Sequence, residues 1–344
     1  MPTILSKHIE TLNPMKITSL LVIILISQFL NPAKSLAQDI NVGIDLWPGY
    51  YPIVLAKHLG YFKKRGLNVN FVLPESTDNM LGQFTDGKLD MVCVAMGDAF
   101  SLYKQDPGLR VVMITDESSG GDALLAKRRS GKNEQGKIRQ TDFDFTSLRG
   151  KKIGTNLEGF GELFINTFLK EKGVDPKSIK LVHQEAASAL TALQSGKADI
   201  VHTWEPYVSE IQSFNVGTVI FDSSQTPGLI PDALLANGNF IKDRPKDLAL
   251  FIQAWLEASD WWRNNLKEGN AIIESEMVMM PDSVSLNGVK LYGLESNVNA
   301  FKPSNDMSSL FYVTQLYIDF FVSKGLIDPS FKPDQIIDGQ FLSR

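Results

Sequence analysis

Two short segments pair an indole with groups that could hold a small molecule. Trp47-Pro48-Gly49-Tyr50-Tyr51 puts three aromatic rings on a proline-stiffened turn, ahead of a helical pattern that begins near Pro52. Trp204-Glu205-Pro206-Tyr207 sets an aromatic face beside a carboxylate where an apolar, strand-like run ends. More carboxylates stand at similar breaks: Asp98 in Met96-Gly97-Asp98, Asp122 after Ser118-Ser119-Gly120-Gly121, Glu158 in Glu158-Gly159-Phe160-Gly161, and Asp232. Aromatic faces combined with carboxylates attract an ammonium or a protonated heterocycle. No Arg or Lys in these motifs is placed to clamp a bare anion through two parallel hydrogen bonds. Plainer uses compete for the same side chains. The aromatics can pack onto their own lobe, Asp98 can cap a helix, and Glu158 can favour a helix N-terminus.

Catalytic groupings are sparse. Behind the N-terminal segment the histidines are His58, His183 and His202, and no pair has the spacing of metal ligands. His202, inside a strand-like run, reads as a satisfied core residue. Cys93 is the single cysteine. It cannot form an internal disulfide, and its apolar neighbours Val92 and Val94 make it a small buried hydrophobe. Glu158-Gly159-Phe160-Gly161 is not a dinucleotide fingerprint, because Phe164 stands where the third glycine would be. It reads instead as a glycine-loosened helix start whose free N–H groups can accept a polar or anionic group.

The positions of these motifs follow from a duplication. Thr85-Asp86-Gly87-Lys88-Leu89-Asp90-Met91-Val92 returns as Gln194-Ser195-Gly196-Lys197-Ala198-Asp199-Ile200-Val201, so Gly87 maps onto Gly196. Upstream, Val42-Gly43-Ile44-Asp45-Leu46 matches Ile153-Gly154-Thr155-Asn156-Leu157. The spacing is too long for a solenoid repeat and implies two similar α/β lobes. Aligning Gly43 with Gly154 puts Trp47 opposite Glu158, each beyond the carboxyl end of its lobe's first strand. Ligands of open α/β sheets gather there, so both side chains are expected to face a cleft between the lobes.

In the first series, strands are expected at 40–44, 69–73, 91–95 and 110–115, and helices at 52–65, 76–86 and 98–104. In the second, strands are expected at 152–155, 180–183, 200–203 and 218–222, and helices at 161–172, 185–195 and 205–214. Such alternation implies parallel sheets flanked by helices. Residues 127–141 read as a solvated loop, and the chain turns helical beyond Asp247. The expected division is 38–120 for the first lobe, 121–231 for the second, and 232–344 for a return to the first with the C-terminal helices. Ser119, Gly120 and Gly121 lie at the first crossing, where glycines absorb the dihedral changes of a hinge.

Composition bounds the function. At 344 residues and 43% hydrophobic, the chain can build two cores, and a net charge of −5 without a long basic run argues against nucleic acid. Residues 1–37 read as an export signal: Lys16, an apolar stretch around Leu20–Ile26, and Ser35-Leu36-Ala37 as a cleavage site before Gln38. Met1 and Met15 both serve as possible starts. Cleavage removes three Lys and one Glu, moving the net charge from −5 to −7. No cysteine follows the cleavage site, so a lipid anchor is not indicated. The expected product is exported to a periplasm and not membrane-embedded.

With these residues in view, the chain resembles the nitrate/sulfonate/taurine-type (NMT1/SsuA-like) solute-binding proteins of ABC importers. Leu46-Trp47-Pro48-Gly49-Tyr50-Tyr51-Pro52 with Leu55-Ala56-Lys57-His58-Leu59-Gly60-Tyr61-Phe62 looks like their opening. Asp116–Ala123 is similar to their crossover, Leu148–Gly154 to their second-lobe start, and Trp204–Tyr207 to their second-lobe turn. The resemblance implies an α/β fold of the type II periplasmic-binding class, with two similar lobes, parallel-rich sheets and a hinged cleft. It further implies a non-enzymatic protein without cofactor that delivers one small solute to a membrane permease and ATPase. Trp47, Asp98, Ser119, Asp122, Glu158, Trp204, Glu205 and Asp232 carry over as pocket positions, beside Tyr50 and Tyr51. The aromatic and acidic character favours an amine-bearing, zwitterionic or heteroaromatic solute, with nitrate, sulfonate or taurine next. A binding module for a membrane sensor is a second reading. The pyrimidine-forming enzyme of fungal thiamine synthesis, which shares the fold, is a third. Its iron-dependent, cysteine-rich segment has no counterpart here.

Overall fold

A computed structural model describes residues 39–128 and 144–342. The expected export signal and most of the expected loop at 127–141 lie outside the described residues. Among the described residues eleven strands form two sheets: β1 (Ile40–Gly43), β2 (Val69–Val72), β3 (Met91–Ala95), β4 (Arg110–Ser118), β5 (Asp122–Lys127), β6 (Lys152–Thr155), β7 (Lys180–His183), β8 (Ile200–Trp204), β9 (Gly217–Asp222), β10 (Pro231–Ala236) and β11 (Val289–Leu291). The first sheet has the order β11-β4-β10-β3-β1-β2 and the second β7-β6-β8-β5-β9.

Laid side by side, β2-β1-β3-β10-β4 and β7-β6-β8-β5-β9 are the same arrangement. The register repeats too: Gly43 pairs with Val92, and Gly154 with Val201. The repeated sequence motif plays the same part in both lobes. Gly87 and Gly196 end their helices at φ 71° and 74°, a conformation glycine adopts without a Cβ clash. Asp90 Oδ2 accepts the Asn41 N–H at 2.7 Å, and Asp199 Oδ2 accepts the Lys152 N–H at 2.9 Å. Each aspartate ties the motif to the first strand of its lobe.

Both sheets are mixed rather than parallel. β10 runs antiparallel to β3 and β4, and β5 antiparallel to β8 and β9. These two strands were expected as crossings. Each is where the chain arrives from the other lobe, so it enters its sheet reversed. The expected helix over 52–65 is two pieces, Pro52–His58 and Tyr61–Lys64.

Crossing segments are knitted together at Ser223. Its hydroxyl lies 2.8 Å from Ser118 Oγ and accepts the Gly120 N–H at 2.7 Å. The long helix Pro245–Asn264 buries Trp255 and Trp262 completely, with Phe251 stacked on Phe62 at 5.0 Å. The last long helix, Leu310–Ser323, also meets the second lobe: Tyr317 donates to Leu229 O at 3.0 Å, and Lys324 pairs with Glu162. Among the described residues no helix is long and apolar enough to cross a membrane.

Candidate functional site

The duplicated topology brings equivalent strand ends face to face. At the carboxyl ends of β1, β3 and β8, and at the starts of the reversed strands β5 and β10, the side chains enclose a cleft of about 330 Å³ counting its open mouth. Asp45, Trp47, Tyr50, Asp98 and Asp232 reach it from the first lobe, and Asp122, Phe160 and Trp204 from the second. Asp122 and Asp232 are counterparts: Asp122 pairs with Trp204 at the end of β8, and Asp232 with Ala95 at the end of β3.

Burial decides the electrostatics. Trp47, Tyr50, Asp122 and Asp232 are all 4% exposed or less. Asp116, fully buried behind Trp47, accepts the indole N–H at 2.8 Å and the Thr115 hydroxyl at 2.9 Å. Desolvation pushes Asp116 up to about 7 even so, the two hydrogen bonds pulling the other way. Asp45 and Asp98 are likewise pushed up to about 7, chiefly by burial. Asp232 is held well above the carboxylate range by burial and by the charge of Asp116. Tyr50, its own hydroxyl raised by burial and Asp232, donates to Asp232 Oδ1 at 2.5 Å.

Two carboxylate oxygens are left over. Asp45 Oδ1 and Asp122 Oδ1 are buried and have no hydrogen-bond partner among the described residues. His202 Nε2 lies 3.3 Å from Asp122 Oδ1, within ion-pair range, but the pair does not meet hydrogen-bond geometry and both atoms count as unpartnered. The other ring nitrogen of His202 meets Thr155 Oγ1 at 3.1 Å. His202 is thus buried in the core, as its place in a strand implied, but with one ring nitrogen unpartnered rather than satisfied. Among the described residues no Lys or Arg lines the cleft.

The structure brings six of the candidate residues together in this cleft: Trp47, Tyr50, Asp98, Asp122, Trp204 and Asp232. Four stand elsewhere. Tyr51 is buried in the first lobe's core, outside the lining. Ser119 is exposed at the crossing, its N–H on Gly288 O. Glu205 turns back onto its own helix, accepting the Ser209 N–H and hydroxyl at 3.1 and 3.0 Å.

Glu158 is exposed rather than facing the cleft opposite Trp47. Its backbone is left-handed at φ 61°, its N–H donates to Glu162, and Phe160 lines the cleft in its stead. The helix start it opens is occupied by the first lobe: Asp98 Oδ1 accepts the Phe160 N–H at 3.3 Å. Asp98 therefore caps the opposing lobe's helix and makes no side-chain cap to its own.

Asp45, Asp116, Phe160 and Thr77 escaped the sequence reading as site residues. Asp45 and Asp116 had a usable signal, since each is a carboxylate at the end of an otherwise apolar strand run. The two glycines of the crossing differ in role. Gly120 has φ 111°, whereas Gly121 is needed for close approach, because a Cβ there would lie 2.4 Å from Trp47 Cη2.

The NMT1/THI5-like family model matches residues 47–268, most of both lobes. The chain belongs to this family. A Bacillus subtilis relative, a putative aliphatic sulfonates-binding protein, is 21% identical over 314 residues, covering 89% of this chain and 88% of that one. A Saccharomyces cerevisiae relative, 4-amino-5-hydroxymethyl-2-methylpyrimidine phosphate synthase THI11, is 32% identical over 136 residues, only 39% of this chain and 36% of the yeast protein. Among solved structures, the ligand-binding component of an ABC-type import system from Staphylococcus aureus, with zinc bound, superposes at a TM-score of 0.72. It is 12% identical, and the match covers 89% of this chain and 98% of that one. This NMT1/THI5-like chain has the periplasmic-binding fold, with both sheets mixed.

Proposed function

We propose that the protein is the extracytoplasmic solute-binding component of an ABC importer, and that its solute carries a positive charge. The observation that carries the charge is the pair of buried, unpartnered oxygens, Asp45 Oδ1 and Asp122 Oδ1, in a cleft without a Lys or Arg. An unmet buried acceptor costs about 1–3 kcal/mol, more when ionised, and an ammonium supplies the missing donors and the countercharge together. Trp47 and Trp204 add π faces for the cation or for a heteroaromatic ring.

The importer role draws its support from the family, from full-length similarity to a binding protein, and from a fold neighbour that belongs to an import system. The partners would be a membrane permease and ATPase, reached after export. The synthase reading is weaker: similarity to the yeast enzyme covers 36% of that protein, and Cys93 is buried and alone.

Thermal unfolding against amines, taurine, alkanesulfonates, pyrimidines, nitrate and bicarbonate tests the solute class. A solute at about 100 times its Kd stabilises by about 2.7 kcal/mol. Amine-bearing compounds are expected to raise Tm, and a shift with nitrate or a simple alkanesulfonate alone would overturn the charge assignment. Deleting the gene should abolish uptake of the same compound, whereas intact uptake would favour a sensor.

A further inference from the structure

Next to Thr77 of the cleft lining, three metal-ligating side chains meet from the two lobes. Asp78 stands in the first turn of the helix Thr77–Thr85, which follows β2. His183 ends β7, and Glu185 begins the short turn into Ala186–Ser188. One donor atom from each lies within 4.8 Å of the other two. Spacing in the sequence gives no hint of this group, because Asp78 and His183 belong to different copies of the duplication. The duplication itself explains the meeting. The corner after β2 and the corner after β7 are counterparts, so a closing cleft brings them opposite each other.

The group lacks a cation of its own. None of the three side chains takes part in an ion pair with a Lys or Arg among the described residues. Asn156 approaches Asp78 at 3.5 Å, and no hydrogen bond holds the His183 ring among the described residues.

We propose that Asp78, His183 and Glu185 form a divalent-metal clamp that spans the cleft mouth and holds the lobes closed. One imidazole nitrogen with two carboxylate oxygens suits Zn²⁺ or a similar borderline ion, whereas Ca²⁺ and Mg²⁺ favour all-oxygen sets. Donors around a tetrahedral Zn²⁺ sit roughly 3.4 Å apart, given bonds of about 2.1 Å. Asp78 and His183 are exposed, so rotamer adjustment suffices to draw the donors in from 4.8 Å. Because one ligand comes from the first lobe and two from the second, the ion binds only the closed form. Metal and solute then raise each other's affinity by the same factor. The clamp stands whatever the solute proves to be.

The test is calorimetric titration of ZnCl₂ into the purified, metal-free protein without solute, beside Asp78→Asn, His183→Gln and His58→Gln. All three positions are exposed, and matched unfolding curves establish that the variants fold. The clamp predicts one tight site per chain, weakened at least tenfold by Asp78→Asn and by His183→Gln and unchanged by His58→Gln. Small-angle scattering should show compaction on zinc addition that both of the first two variants lose. Equal binding in all four proteins, meaning adventitious surface zinc only, would overturn the proposal. Loss in His183→Gln with full binding and compaction in Asp78→Asn would also overturn it, because the metal would then belong to one lobe.

Discussion

Replacing Asp98 by Asn should stabilise the solute-free protein at pH 8, against the usual expectation for a residue in a binding site. Asp98 is 7% exposed, and its carboxyl is raised from 3.8 to about 7 by burial, partly offset by the Phe160 N–H. A carboxyl raised in the folded state binds its proton more tightly folded than unfolded. Its favourable contribution is therefore complete below 3.8 and lost as pH rises through about 7. The shift corresponds to about 4 kcal/mol of differential cost once Asp98 is ionised in both states. The asparagine side chain keeps an oxygen for the Phe160 N–H and cannot ionise. Asp98→Asn should gain up to about 4 kcal/mol over the parent at pH 8, about 2 kcal/mol at pH 5, and almost nothing below pH 4. With an unfolding entropy of roughly 2.1 cal/mol/K per residue, the gain at pH 8 is a Tm rise of about 6 °C. Thermal unfolding by circular dichroism from pH 4 to 8.5 reads the whole curve. A variant whose Tm equals or falls below the parent's at pH 8 would refute the reasoning, because burial against the second lobe would then not be penalising the ionised Asp98.

Three further outcomes follow from the geometry. Trp47→Ala and Trp204→Ala should each weaken solute binding at least tenfold, read by titration calorimetry, since each removes a ring from the cleft wall; Glu158→Gln, which alters an exposed side chain outside the lining, should leave affinity within about twofold. Gly121→Ala puts a Cβ 2.4 Å from Trp47 Cη2 and 2.9 Å from Gly288 O, so it should displace the indole, weaken binding and shift the tryptophan emission. Asp90→Ala strands the Asn41 N–H and should cost about 1–3 kcal/mol in chemical denaturation, with no change in the fitted solute stoichiometry.

Much of the architecture could be read from the sequence because the duplication writes each lobe's instructions twice. Gly87 with Asp90 and Gly196 with Asp199 are local devices, a left-handed helix end and a side chain tied to the neighbouring strand. Such devices survive as motifs. The crossing strands were harder. Ala123-Leu124-Leu125-Ala126 and Ala233-Leu234-Leu235-Ala236 lack the β-branched residues that mark a strand, and their reversed direction is set by tertiary context. β11, three residues long, leaves too little pattern to find.

At the site, sequence offset located the correct corner but not the side chain. The alignment put Glu158 opposite Trp47 in the cleft, whereas Glu158 is exposed and outside the lining. Its backbone is left-handed at φ 61°, and Phe160 rather than Glu158 lines the cleft. Asp116 is legible only through its partner, because nothing in a linear sequence shows that its carboxylate receives the Trp47 indole from the other end of the sheet. Asp78, His183 and Glu185 illustrate the same limit, as only the folded lobes bring them within reach.

The central claim is that the cleft reads a positive charge. Titration calorimetry with ethylamine, taurine and ethanesulfonate at pH 8 tests it most directly, because the three compounds separate an amine, an amine with a sulfonate, and a sulfonate alone. Measurable binding of the two amines is expected, none of ethanesulfonate, and weaker binding of both amines at pH 6, where the cleft-lining Asp45 and Asp98, each raised to about 7, hold protons a cation must displace. Binding of ethanesulfonate with ethylamine inert would contradict it.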